Sequence, residues 1–162
     1  MVSVRTEKLP AFTVAGRKTW ISGQDNAQFA AFWAESEQNG LLKRLDALQK
    51  PLAERQTKCR FLGISRVEND PNNRAFDFYI AVECDETPDD LEAFAVPAGE
   101  WAVFTNVGQL PLSLVESEIY AMTVWLPASP YRHALAPEME GYPPVISPEG
   151  TVTEFWLPLS PR

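Results

Sequence analysis

Histidine occurs once in this sequence, at position 133, and cysteine only twice, as Cys59 and Cys84. With a single imidazole, no catalytic triad has a supporting cluster, and His133 is read as a loop residue. The two cysteines lie far apart with no Cys or His flanking them at ligand spacing. No metal site is written there, and two buried, reduced thiols are expected. Positive charge is also scarce: 14 Lys plus Arg stand against 22 Asp plus Glu, for a formal charge of -8 and a pI near 4.7. Nucleic-acid binding needs a concentrated basic face, which this chain does not supply, whereas a negative field favours cations. No apolar run approaches the about 20 residues of a membrane helix. Met1 to Lys8 has no apolar stretch followed by small residues, so no secretory signal is read. The expectation is a bacterial, cytoplasmic protein without a cofactor.

Among 162 residues, 45% are hydrophobic and 11% aromatic, with five tryptophans, which is enough for one domain with a good core. Phe12 to Ile21 reads as a strand, with Gly16 marking a bulge or bend. Asp25 followed by Gln28 reads as a capped helix start, ahead of a face made of Phe29, Phe32 and Trp33. Gly40 ends that helix, and Leu41, Leu45, Leu48 and Leu52 repeat at helical spacing until Pro51 disturbs them.

Arg60 to Val67 and Phe76 to Glu83 form a hairpin across an Asn- and Pro-rich turn. In the second of these strands Phe76, Phe78, Ile80 and Val82 alternate with Asp77, Tyr79, Ala81 and Glu83. Tyr79 is therefore expected on a solvent or cleft face. The acidic loop Asp85 to Asp90 is the boundary between two halves, about 1–86 and about 87–162. Leu91 to Val96, a Pro97-Ala98-Gly99 turn and Glu100 to Thr105 restart the pattern. A helix follows from about Pro111 to Leu126 on the apolar stripe Leu112, Val115, Ile119, Met122 and Leu126, with Glu116 and Glu118 facing elsewhere. Strands near Glu138 to Tyr142 and Val152 to Leu157 close the chain.

Both halves thus share an order. The fold class expected is α+β: duplicated strand-helix-strand-strand modules related by a pseudo-two-fold axis, an antiparallel sheet with helices packed on it, and a central cleft for a ligand. In the last two strands, side-chain alternation puts Glu140 beside Tyr142 and Glu154 beside Trp156. Carboxylates next to aromatic faces are how a cation-binding wall would be built.

Four stretches carry a family resemblance: Pro97-Ala98-Gly99-Glu100-Trp101-Ala102-Val103-Phe104, Trp125-Leu126-Pro127-Ala128-Ser129, Glu140-Gly141-Tyr142 and Glu154-Phe155-Trp156-Leu157-Pro158. In this order and spacing the chain resembles the GyrI-like domain, the effector-binding domain of AraC-type and multidrug-binding transcription activators. The N-terminal half, with Trp33 and Gly63-Ile64, fits more loosely.

The resemblance implies an aromatic pocket that accepts bulky, often cationic lipophilic molecules around a buried glutamate, at Glu140 with Tyr142. Glu154 is the terminal motif glutamate. Further lining is expected from Trp33, Tyr79, Trp101, Phe104, Tyr120, Trp125 and Trp156. No helix-turn-helix pattern precedes the domain in this sequence, so a free-standing binder is expected rather than a direct activator. Two alternatives stand beside it. Some members of the family add water to strained cyclopropane rings of DNA-alkylating compounds, for which Glu140 and Glu154 would be the carboxylate pair. The other is a protein-interaction role with a partner in transcription or DNA topology control, such as shielding a DNA-binding enzyme (gyrase) through acidic surface mimicry.

Overall fold

A computed structural model of the chain describes residues 1–23 and 25–162. In order these form β1 (Ser3–Leu9), β2 (Phe12–Ile21), α1 (Ala27–Gln38), α2 (Leu41–Leu48), β3 (Phe61–Ser65), β4 (Phe76–Glu83), β5 (Glu92–Val96), β6 (Gly99–Gly108), α3 (Leu112–Tyr120), β7 (Tyr131–His133), β8 (Glu138–Tyr142), β9 (Ile146–Ser147) and β10 (Gly150–Pro161). The axis of α3 continues through wider turns at Ala121–Trp125 and a last turn at Leu126–Ala128.

The strands make one antiparallel sheet in the order β1-β6-β10-β8-β3-β4-β2-β5, with β7 and β9 pairing onto β10. That order reads alike from both ends. Matching β2, α1, β3 and β4 to β6, α3, β8 and β10 maps one half onto the other, with β3 and β8 adjacent at the centre. The outer strands are exchanged: β1 precedes β2 in the chain yet pairs with β6, and β5 precedes β6 yet pairs with β2. The Pro97-Ala98-Gly99 segment is therefore a corner rather than a hairpin turn.

Strand β1 was not legible as a strand in the sequence. It is an edge strand in which Ser3, Val4, Arg5 and Thr6 are all exposed, so it carries no apolar alternation. His133, expected in a loop, lies in the short strand β7. Gly16 is no bulge either. It pairs in register with Ala81 and Glu92, and a Cβ there would meet the Ile80 carbonyl oxygen at 1.9 Å, so the residue is small because the backbones approach closely.

All helices lie on one face of the sheet. On the first half, Phe29 of α1 meets Phe78 edge-on at 4.9 Å, and Leu41 and Leu45 of α2 pack with Phe78 and Ile80. Burying each such side chain contributes about 1.5–3 kcal/mol. Gly40, at φ 83°, makes the left-handed turn that lets α2 follow α1 at once.

On the second half, α3 packs through Ser113, Leu114 and Ser117 rather than through the expected stripe, and Leu112 and Ile119 are 62% and 57% exposed. Small residues four apart let the helix lie close over Phe104, Phe155 and Leu157. That turns Leu112 and Ile119 outward, while Met122 and Leu126 of the expected stripe still pack against the core. The opposite face of the sheet holds a core drawn from both halves, including Val14, Leu62 and Tyr79 from the first and Trp101, Met139 and Trp156 from the second.

Candidate functional site

Between α1 and α3, above the central strands β3 and β8, lies a cavity of about 1250 Å³. Its floor follows from the register of those strands, in which Phe61 pairs with Tyr142, Gly63 with Glu140 and Ser65 with Glu138. These residues all point to the helical face. The α1 wall supplies Phe29 and Trp33, the α3 wall Leu114, Val115 and Glu118, and β10 contributes Phe155. Trp33 stands edge-on to Tyr142 at 5.3 Å.

Glu140 rises from the floor opposite Gly63. A Cβ at position 63 would sit 2.5 Å from Glu140 Cγ and 2.6 Å from Phe78 Cζ, so the missing side chain is what gives the carboxylate its place. Its one side-chain donor among the described residues is the Tyr142 hydroxyl. Burial pushes the Glu140 carboxyl up to about 7, the tyrosine hydrogen bond acting against that. Burial and the neighbouring Glu140 charge likewise raise Tyr142, which stays a donor.

Glu118, half-buried on the α3 wall, is pushed up to about 8 by burial and then by the negative charges of Glu138 and Glu140, with Arg74 opposing. Glu138 behaves differently. Burial works to raise it, but hydrogen bonds from His133 Nε2 at 2.9 Å and from both Arg74 guanidinium nitrogens, at 3.0 and 3.2 Å, hold it below the usual carboxylate range.

Of the ten residues singled out in the sequence, the structure brings Glu140, Tyr142 and Trp33 together in the cavity wall. Phe104, Tyr120 and Trp125 form an aromatic cluster between α3 and the sheet, with Phe104 5.5 Å from Trp125 and 6.0 Å from Tyr120. None of the three lines the cavity, contrary to the expectation.

Trp101, Trp156, Tyr79 and Glu154 are on the other face of the sheet, which corrects the expectation of a shared pocket. Tyr79 is buried there, stacked on Phe94 at 5.8 Å with its hydroxyl donating to Glu92 at 3.0 Å. Glu154 is 6% exposed and fully engaged: Arg5 reaches it at 2.9 Å, and Cys59 Sγ and Trp156 Nε1 both donate to it at 3.3 Å. The alternation within β10 was read correctly, but it is Phe155, of the opposite parity, that faces the cavity. Cys59 and Cys84 are both buried free thiols, and burial followed by the Glu154 charge pushes Cys59 well above its ordinary range.

Glu118 was missed. The available signal was helical spacing: Pro111, Leu114, Val115 and Glu118 recur at three and four, and all four line the cavity. Reading Leu112 and Ile119 as the buried stripe rotated Glu118 away from the site.

A family model for an integron-associated effector binding protein, Cass2, matches residues 5–159. The chain belongs to that family. Solved structures agree. SAV2435, in a structure bound to tetraphenylphosphonium, is 20% identical with a TM-score of 0.80, over 98% of this chain and 94% of that one. The C-terminal domain of EcmrR is 14% identical with a TM-score of 0.69, over 100% and 99% of the two chains. An integron cassette protein from the mobile metagenome of Vibrio cholerae is 14% identical with a TM-score of 0.63, over 97% and 95%. At these identities the likeness establishes the fold. A search of curated proteins finds no match. The chain is a GyrI-like ligand-binding domain, and among its described residues no helix is long and apolar enough to cross a membrane.

Proposed function

We propose that this domain binds bulky hydrophobic organic cations in the cavity between α1 and α3, with Glu140 as the electrostatic anchor. The observation that carries this reading is the state of Glu140: a carboxylate on the floor of an aromatic cavity whose only side-chain partner among the described residues is a neutral tyrosine hydroxyl. Such a group is costly to ionise when the cavity is empty and is compensated when a cation enters. Ring faces such as Trp33 add about 0.5–2 kcal/mol each by cation–π attraction. The tetraphenylphosphonium bound to SAV2435 supports the same ligand class.

Thermal shift with tetraphenylphosphonium against the neutral triphenylphosphine oxide tests it. At 100 times its dissociation constant a ligand adds about 2.7 kcal/mol of stability. The cation should shift the melting temperature and the neutral compound far less. Equal shifts, or none with any lipophilic cation, sink the reading.

One observation favours a second reading, addition of water to a strained ring. That chemistry calls for two carboxylates in one cavity, one protonated to donate and one to orient the water. Glu154 is on the wrong face for it, but Glu118 shares the cavity with Glu140 and is raised to about 8. Mass spectrometry of cyclopropane-bearing compounds after incubation decides. A product heavier by one water, lost in Glu118→Gln, would establish it, and unchanged compound excludes it.

A further inference from the structure

The charges lining the cavity do not balance, and the imbalance has a direction. Four glutamates and two arginines face it. Arg60 is held by Asp46 at 2.9 Å and Arg74 by Glu138 at 3.0 Å, so neither cation is free. Glu138 is also met by His133, and Glu37 is exposed at the rim. Two carboxylates remain inside. Glu140 stands on the floor with only the Tyr142 hydroxyl, and Glu118 projects from α3 with no hydrogen-bond or ion-pair partner among the described residues. Apart from Glu37 at the rim, the α1 side presents the uncharged Phe29, Ala30 and Trp33.

We propose that Glu118 is a second charge-reading position and that the preferred ligands are lipophilic dications, built as a flat cationic ring system with a cationic side arm. This rests on the cation-binding reading above and narrows it. The ring body would lie over Glu140 and against Trp33, and the arm would reach sideways to α3. A monocation answers Glu140 alone and leaves Glu118 a neutral, protonated acid, because an unpaired charge there would be costly in a dehydrated cavity. A second cationic group answers both. Because burial keeps Glu118 protonated in the empty cavity at neutral pH, the second positive charge also expels a proton that a monocation leaves in place.

Ethidium and propidium test this, since they share one phenanthridinium ring and propidium adds a quaternary ammonium arm. By calorimetry on the full chain at pH 7, propidium should bind about tenfold to a hundredfold tighter, the range for one charged partner. Repeated in two buffers of different ionisation enthalpy, it should release close to one proton more than ethidium. In Glu118→Gln the affinity ratio should fall towards one with ethidium little changed, and the extra proton should vanish. Glu116→Gln removes the same charge from the same helix outside the cavity lining, so the ratio should survive there.

Ethidium binding as well as propidium in the wild-type protein overturns the dication proposal and leaves the cation-binding reading standing. So does a propidium preference that persists in Glu118→Gln or is lost equally in Glu116→Gln. If neither dye binds, the broader reading falls with it. Proton release by the unmodified protein keeps the question answerable even should Glu118→Gln fold poorly.

Discussion

Position 63 and position 140 are partners across the central strand pair, and each makes sense only with the other. Gly63→Ala places a methyl group 2.5 Å from Glu140 Cγ and 2.6 Å from Phe78 Cζ. Displacing the carboxylate and overfilling the floor should cost about 1–3 kcal/mol of stability and weaken cation binding with no change of charge, as denaturant melts and tetraphenylphosphonium titration would show. Wild-type affinity in Gly63→Ala would mean that Glu140 does not need that place.

Glu140→Gln preserves size and removes charge. Affinity for cations should fall by about 1.5–3 kcal/mol, neutral compounds should lose far less, and the apo protein should be as stable as wild type or slightly more so. Equal losses for both ligand types would make Glu140 a shaping residue only.

The pH dependence follows from the same groups. Folding raises Glu140 to about 7 and Glu118 to about 8 from an ordinary 4.5. The folded protein therefore binds more protons than the unfolded chain between those values. Its advantage from these acids is complete at pH below 4.5 and is lost as pH rises through about 7 and about 8. For Glu140 this amounts to at most about 3 kcal/mol. Among the groups that act on them, Glu138 is held low, while Arg74 and Tyr142 are raised. Urea melts at pH 6 and pH 9 should show wild type losing stability relative to the Glu118→Gln, Glu140→Gln double variant. Cation affinity should rise over the same range in wild type, rise less in Glu140→Gln, and stay flat in the double variant. Parallel pH curves for the two proteins would contradict the burial of these carboxylates.

At the scale of elements, what was legible was what alternates or repeats strongly. The β3–β4 hairpin, α1 and α2 follow from apolar periodicity, because their core faces are built of Phe, Ile and Leu. Two things were not legible. Strand β1 is exposed along most of its length, so pairing with β6 gives it structure without giving it a pattern. The rotation of α3 was misread because its buried face, Leu114 apart, is made of serines and alanine, whose value lies in close approach rather than hydrophobicity.

The sheet faces could not be assigned either. Alternation shows that Glu154 and Trp156 share a side, but which side carries helices depends on the tertiary fold. Their role can now be separated by experiment. Glu154→Gln breaks the ion pair to Arg5, which ties exchanged strand β1 to β10. Arg5 is 42% exposed, so screening limits the loss to about 1–2 kcal/mol of stability. Tetraphenylphosphonium affinity should not change. Reduced affinity without reduced stability would return Glu154 to the ligand site.

For the whole molecule, the exchange of β1 and β5 decides how the two halves depend on each other. Had each half kept its own outer strand, 1–86 and 87–162 would each be a small sheet with helical cover, joined only where β3 meets β8. Instead β1 belongs to the second half's sheet edge and β5 to the first's. The core behind the sheet mixes Val14 and Tyr79 with Trp101 and Trp156. The cavity is shared in the same way, with α1 on one side and α3 on the other.

A separated half would expose the unpaired edges of its central strand and of one outer strand, besides half of that aromatic core. Apolar burial contributes about 25 cal/mol per Å², so neither half retains enough to offset its chain entropy. The intact protein should therefore unfold in one cooperative urea transition. Far-ultraviolet circular dichroism, which reports the sheet, and tryptophan fluorescence, to which the buried Trp101 and Trp156 contribute, should give the same midpoint. Each half expressed alone should be unfolded, and an equimolar mixture should recover both the sheet signal and tetraphenylphosphonium binding. Two separated transitions, or a folded 87–162 fragment that binds the cation by itself, would show that the halves are independent units and that the strand exchange is a detail of connection rather than the device that makes the cavity.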